Sequence, residues 1–162
     1  MHCIEGALLA AASLAYWGKR PLLLDLKALS SDEDHVVALF KEKNGWGAIS
    51  KTNHSILRWR DPVYRSVREL AMSYFHEYIL WQNGRKTLRS YSRLFNLRRY
   101  KPQEWVVANE DLDFIAEELD VSPHYPIAPK YVLQKVRRAS PLERKALWDS
   151  EWNKKTGRKN KF

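Results

Sequence analysis

The stretch HVVALFKEKNGWGAISKT (residues 35–52) decides the fold of the first third of the chain. Residues 35–43 read as a strand. His35, Val37 and Leu39 share one face, and Val36, Ala38 and Phe40 share the other, because side chains alternate along a strand. Asn44-Gly45 is a strong hairpin signal, so residues 46–52 read as the returning strand.

Upstream, PLLLDLKAL (21–29) is short, apolar and opened by proline, which fits a buried strand. Residues 3–17 read as a helix. Ile4, Leu8, Ala11, Ala12 and Ala15 recur at helical spacing, alanine favours helix, and Gly18 is a stop signal. Downstream, residues 60–81 read as a long amphipathic helix. Asp61 is its cap, Pro62 its first residue, and Val63, Val67, Leu70, Ala71, Tyr74, Phe75 and Tyr78 its buried stripe. Residues 87–95 alternate like a strand. Residues 109–121 form an acidic helix with Leu112, Ile115, Ala116 and Leu119 on one face. The proline-rich segment 122–131 is a connector. Two short helices follow, split at Ser140-Pro141, and then a polar basic tail. The expected fold class is α+β: a Cys-bearing helix packed on a small antiparallel sheet, then a long amphipathic helix and a helical C-terminal part. Residues 1–101 form the α+β core. Residues 102–162 are a helical extension, either a separate unit or part of the same domain.

The 162 residues suffice for one domain with a real core, and seven Trp and eight Tyr supply large packing anchors. A single cysteine excludes an intramolecular disulfide framework and a zinc site built on several cysteines. No apolar run approaches the roughly 20 residues of a membrane span. The short run Leu8–Ala12 has no basic region before it, so it is not a secretory signal. The expectation is a soluble cytoplasmic protein with no membrane partner. The formal charge of +9 suits nucleic acid or acidic surfaces. The basic residues are spread over 58–68, 85–101 and the tail, and form no single dense stripe.

Chemistry centres on Cys3. A thiol is nucleophilic as thiolate, and both a helix N-terminus and a neighbouring imidazolium favour that form. Cys3 opens a helix, and His35 opens a strand that can lie beside it. His2 adjoins Cys3, but consecutive residues at a helix start point apart. Cys3, His2, His35 and His54 match no zinc spacing, so neither metal nor cofactor is expected.

The order C-x-E-G-A (3–7), G-x-x-P-L-L-L-D-L (18–26), D-H-V-V-A-L-F (34–40) and N-G-W-G-A-I-S (44–50) resembles the core of transglutaminase-like proteins of the papain-type cysteine protease superfamily. The resemblance covers roughly residues 3–55. It implies that Cys3 is the nucleophile and His35 the general base, acting on an amide of a protein or peptide substrate. The place of the family's acidic third member falls at Ser50 or Lys51. Asn53 is the nearest amide and the candidate orienting group, with Ser50 as the alternative. Family members also carry a segment before the cysteine that helps build the cleft, so the core is expected to be incomplete at its N-terminus. Two other readings stand beside thiol acyl transfer: a catalytically inactive binding module on the same fold, and a basic nucleic-acid-binding protein. Oligomeric state is left open by the sequence.

Overall fold

The computed structural model describes residues 3–108 and 111–147; His2 and the basic tail lie outside them. The elements are α1 (Cys3–Tyr16), β1 (Leu22–Lys27), β2 (His35–Glu42), β3 (Gly45–Ile49), β4 (Trp59–Tyr64), α2 (Val67–Ser73), β5 (Ser90–Ser92), β6 (Phe95–Asn96), α3 (Pro102–Trp105), α4 (Asp113–Asp120), β7 (His124–Pro126), α5 (Lys130–Lys135) and α6 (Pro141–Leu147). Among the described residues the strands form one sheet in the order β4-β3-β2-β1-β5-β7, with β6 also on β1, and every pairing is antiparallel. The class is therefore α+β, a mixture of helices and antiparallel sheet. No helix among the described residues is long and apolar enough to cross a membrane.

The sheet is covered on both faces, because β1 and β2 are apolar at successive positions. Leu22, Leu24, Leu26, Val37 and Leu39 point to one side, where Leu70, Ala71, Tyr74 and Tyr78 pack on them. Leu23, Val36 and Ala38 point to the other, against Ala7, Leu8 and Ala11 of α1. Phe95, Trp105, Ile115 and Leu119 complete that second cluster. Residues beyond 101 thus contribute both to this cluster and, through β7, to the sheet.

Helix α1 ends as its sequence indicates. Gly18 adopts φ +75°, and the amide of Lys19 donates to the carbonyl of Leu14 at 2.9 Å. The small stripe lets the helix lie close to the sheet. A Cβ on Gly6 would fall 2.1 Å from the Cβ of Lys51, just past β3. That neighbour is the root of a side chain and cannot swing away. Gly6→Ala should therefore lower stability by about 2 kcal/mol, although alanine raises helix propensity by about 1 kcal/mol. Urea denaturation of this variant and of Gly6→Ala/Lys51→Gly, which should recover most of the loss, checks the close approach.

The long helix over residues 60–81 is not formed. Residues 59–64 instead make β4, an edge strand of the sheet. Pro62 is tolerated there because an edge strand leaves half its amides unpaired. Asp61 does not cap a helix; its carboxylate accepts the Trp59 indole N–H at 2.8 Å. The true cap is Ser66, whose hydroxyl accepts the Glu69 amide, and α2 ends at Ser73. Val63 is exposed, whereas Leu70, Ala71, Tyr74, Phe75 and Tyr78 are buried as the periodicity expects.

The hairpin is displaced by one residue. Glu42 pairs with Gly45, so Lys43 and Asn44 are the turn, and Lys43 takes φ +49°. Gly45 is needed for a different reason, since a Cβ there would lie 1.7 Å from the Pro62 carbonyl oxygen on β4. The connector 122–131 contains β7, which pairs with β5 through Tyr91 opposite Tyr125. The two last helices do split at Ser140, whose hydroxyl accepts the Glu143 amide while Glu143 accepts the Ser140 amide, a reciprocal cap.

Candidate functional site

Cys3 stands at the start of α1, where the first-turn amides have no partners within the helix. Its thiol contacts the backbone carbonyl oxygen of Asp34 at 4.0 Å. Asp34 immediately precedes His35, so the fold carries the two sequence-predicted residues to the same end of the sheet. It does not join their side chains. Helix α1 lies on the face of Val36 and Ala38, while His35 shares the strand parity of Val37 and Leu39. The Nε2 of His35 is buried without a hydrogen-bond partner among the described residues. Thiol and imidazole can meet only around the end of β2.

His35 lines a cleft of about 160 Å³ together with Thr52, His54, Tyr78, Trp81 and Arg144. This volume falls below the range of pockets that enclose a whole small-molecule ligand, roughly 300–1,000 Å³. It suits a side-chain-sized group. Cys3 does not line it. Arg144 closes one wall by donating from Nη1 to the carbonyl oxygens of Trp81 and Gln82, at 2.7 and 3.1 Å. The Tyr78 hydroxyl, like the His35 nitrogen, is buried without a partner among the described residues. Burial, and after it the charge of Asp32, holds that phenol far above its usual titration range. Burial, reinforced by the nearby charge of His54, pulls the His35 imidazole down to about 4. At neutral pH the ring is therefore uncharged, which is the form that accepts a proton.

The candidate third members sit apart from this ring. Asn53 is exposed, and no hydrogen bond links it to His35 among the described residues. Ser50 is nearly buried, but its hydroxyl donates to the Leu57 carbonyl oxygen at 2.8 Å. It braces the segment after β3 rather than the imidazole.

On the α1 side of the sheet the structure assembles a group that the sequence pattern did not single out. Asp25 and His124 are 99 residues apart in sequence. Their side chains meet across β5, with His124 Nε2 3.1 Å from Asp25 Oδ2. Ser92 lies between them and accepts the Asp25 amide at 2.9 Å. His124 Nδ1 is 2.6 Å from the Ser122 carbonyl oxygen. A carbonyl only accepts, so Nδ1 carries a proton. Nε2 and the Asp25 carboxyl then share one further proton, on either side. Burial pushes the Asp25 carboxyl up to about 6, against the His124 hydrogen bond that draws it down. Asp34 and Asp120 each bring an oxygen close to Asp25. Those acids have partners of their own. Lys27 pairs with Asp120 at 2.5 Å, and the Ala28 amide donates to Asp34 at 2.7 Å. The cluster reads as a structural charge network. The sequence signal for it was Asp25 itself, a carboxylate inside the apolar run LLLDL.

No protein-family model matches the chain, and no curated protein matches it.

Proposed function

We propose that the chain is a thiol-dependent acyl-transfer or amide-hydrolysing protein in which Cys3 is the nucleophile and His35 the base. The observation that carries this reading is the His35 Nε2, buried without a partner among the described residues, in the residue that follows Asp34, whose backbone oxygen the Cys3 thiol touches. A buried polar atom left unpaired costs about 1–3 kcal/mol. Because the thiol and the imidazole lie on opposite faces of the sheet, one of them must swing around the start of β2 before that nitrogen gains a partner.

In the reaction, the Cys3 sulfur attacks an amide carbonyl carbon and its proton passes to His35. The imidazolium returns the proton to the departing amine as the C–N bond breaks, leaving a thioester on Cys3. Water or a second amine then attacks the thioester and regenerates the thiol. The backbone N–H of Cys3 supplies one donor to the oxyanion. The transglutaminase-like arrangement that the sequence resembles places a helix-borne cysteine and a strand-borne histidine in these roles. The substrate class is a protein or peptide amide.

Labelling with iodoacetamide at pH 6–7 tests the proposal. Cys3 should react about tenfold faster than a free peptide cysteine, and His35→Ala should remove the excess. A rate equal to that of the peptide and indifferent to His35→Ala overturns the catalytic reading and leaves a binding module on this fold.

A further inference from the structure

A second cavity, away from Cys3, has a different character. It is a groove of about 660 Å³ between the turn before β5, the end of β7, and α5 with the segment after it. Its lining includes Arg85, Lys86, Arg89, Lys130 and Arg138, and no acidic side chain. Leu29, Ala128, Leu133 and Val136 make an aliphatic floor. None of the five cations has a carboxylate within ion-pair distance among the described residues. The neighbouring acid, Glu143, is taken by Arg137 through two bonds of 2.8 and 2.6 Å.

The groove is built on ordered backbone. The Ala139 amide donates to the Gly84 carbonyl oxygen and the Ile127 amide to that of Arg89, both at 2.8 Å. The Arg89 guanidinium donates to the carbonyl oxygens of Leu88 and Lys86 at 2.8 and 3.0 Å. This fixes its position with no countercharge. Lys86 is buried, with its amine 2.6 Å from His76 Nδ1. Burial, and after it the charge of Arg85, pulls the Arg89 guanidinium down. Burial, and after it the charge of Arg137, does the same to Lys86. Such uncompensated cations favour an anionic ligand.

We propose that this groove binds a nucleotide or a short single-stranded nucleic-acid segment through its phosphates. Phosphate groups bring several negative charges into a small volume, and the guanidinium forks of Arg85 and Arg138 match their oxygens, while Arg89, held by two carbonyls, adds a fixed positive charge. The aliphatic floor takes the sugar or base. Net charge alone would attract polyanions anywhere on the surface, so the experiment compares two variants with the same change of charge. Arg85→Glu/Arg138→Glu alters exposed groove residues. Arg65→Glu/Arg98→Glu alters residues outside it.

Binding of adenosine triphosphate, inorganic tripolyphosphate and a labelled short oligothymidylate is measured on the full chain by calorimetry and fluorescence anisotropy. The groove variant should bind at least about tenfold more weakly, while the control variant stays near wild type. The salt dependence of oligothymidylate binding should fall by roughly 0.7 in log-log slope for each phosphate that the variant no longer neutralises. Tripolyphosphate displacing the oligothymidylate supports phosphate recognition, and tighter binding of adenosine triphosphate than of tripolyphosphate supports the role of the floor. Equal weakening in both variants, or displacement by an acidic peptide as readily as by tripolyphosphate, overturns the proposal.

Discussion

Replacing His124 by alanine should destabilise the protein by about 3 kcal/mol at pH 7, because it leaves Asp25 buried and unpaired. For a chain of this size that is a fall in Tm of roughly 6–12 °C. The Asp25 side chain is only 5% exposed, so water cannot replace the lost partner. Its other neighbours do not help. Asp34 repels it, and Lys27, although attractive, is committed to Asp120.

The sign of the pH dependence follows from the native carboxyl. It titrates near 6, above its unfolded value of 3.8. Below pH 3.8 both states hold the proton and the native state keeps its full advantage. Between 3.8 and about 6 the native state holds more protons than the unfolded one, so stability falls as pH rises. Losing His124 removes an interaction that favours the carboxylate, so the cost of the variant should shrink in acid and grow toward neutrality. Asp25→Asn/His124→Ala should recover most of the stability, since no buried charge remains. Urea titrations of the three proteins at pH 4 and pH 7 make the comparison. A loss below about 1 kcal/mol for His124→Ala at pH 7 would show that the pair contributes little.

The second large effect belongs to His35 and runs the other way. Its imidazole titrates near 4 in the native state, against an ordinary value of 6.5. Above pH 6.5 it is neutral in both states. As pH falls from 6.5 toward 4 the unfolded state gains a proton that the native state refuses, and stability drops by about 3 kcal/mol. Asp25 opposes this over much of the same window, so wild type should show a shallow profile between pH 4 and 6.5. Asp25→Asn should expose the His35 slope, with stability falling by about 3 kcal/mol on acidification. His35→Gln should expose the opposite slope, with stability rising as pH falls. If Asp25→Asn is as flat as wild type, His35 is not held neutral by its surroundings.

Much of the fold was legible in local pattern. The strands at 22–27 and 35–42, the helix opening at Cys3, and the split at Ser140 follow from alternation, helical spacing and capping chemistry. The helix over 60–81 failed for a definable reason. An Asp-Pro pair ahead of an apolar periodicity is a good helix start, yet the same residues also suit an edge strand. Sheet pairing with β3 decided between them. The turn shifted by one residue because Gly45 is required beneath the Pro62 carbonyl, a demand invisible from the dipeptide Asn-Gly alone. The candidate site was legible to the same degree. Cys3 and His35 could be placed at the start of a helix and the start of a strand, but which face each would take depends on where α1 docks. Asn53 was the reasonable amide by position, and only the path of the chain after β3 shows it turned to solvent.

By itself, then, the sequence determined the local elements and the chemistry each can carry: a thiol on a helix, an imidazole on a strand, a carboxylate inside an apolar run, and cations scattered along the chain. The tertiary structure alone decided which of these groups share a space. It brought Asp25 to His124 across β5 and gathered Arg85, Arg89 and Arg138 around one groove. It also set the thiol of Cys3 beside the residue preceding His35, with the imidazole turned to the other face. The physical reason is that spacing along the chain sets helical and strand period, whereas proximity between distant residues is set by sheet register and by the packing of apolar faces.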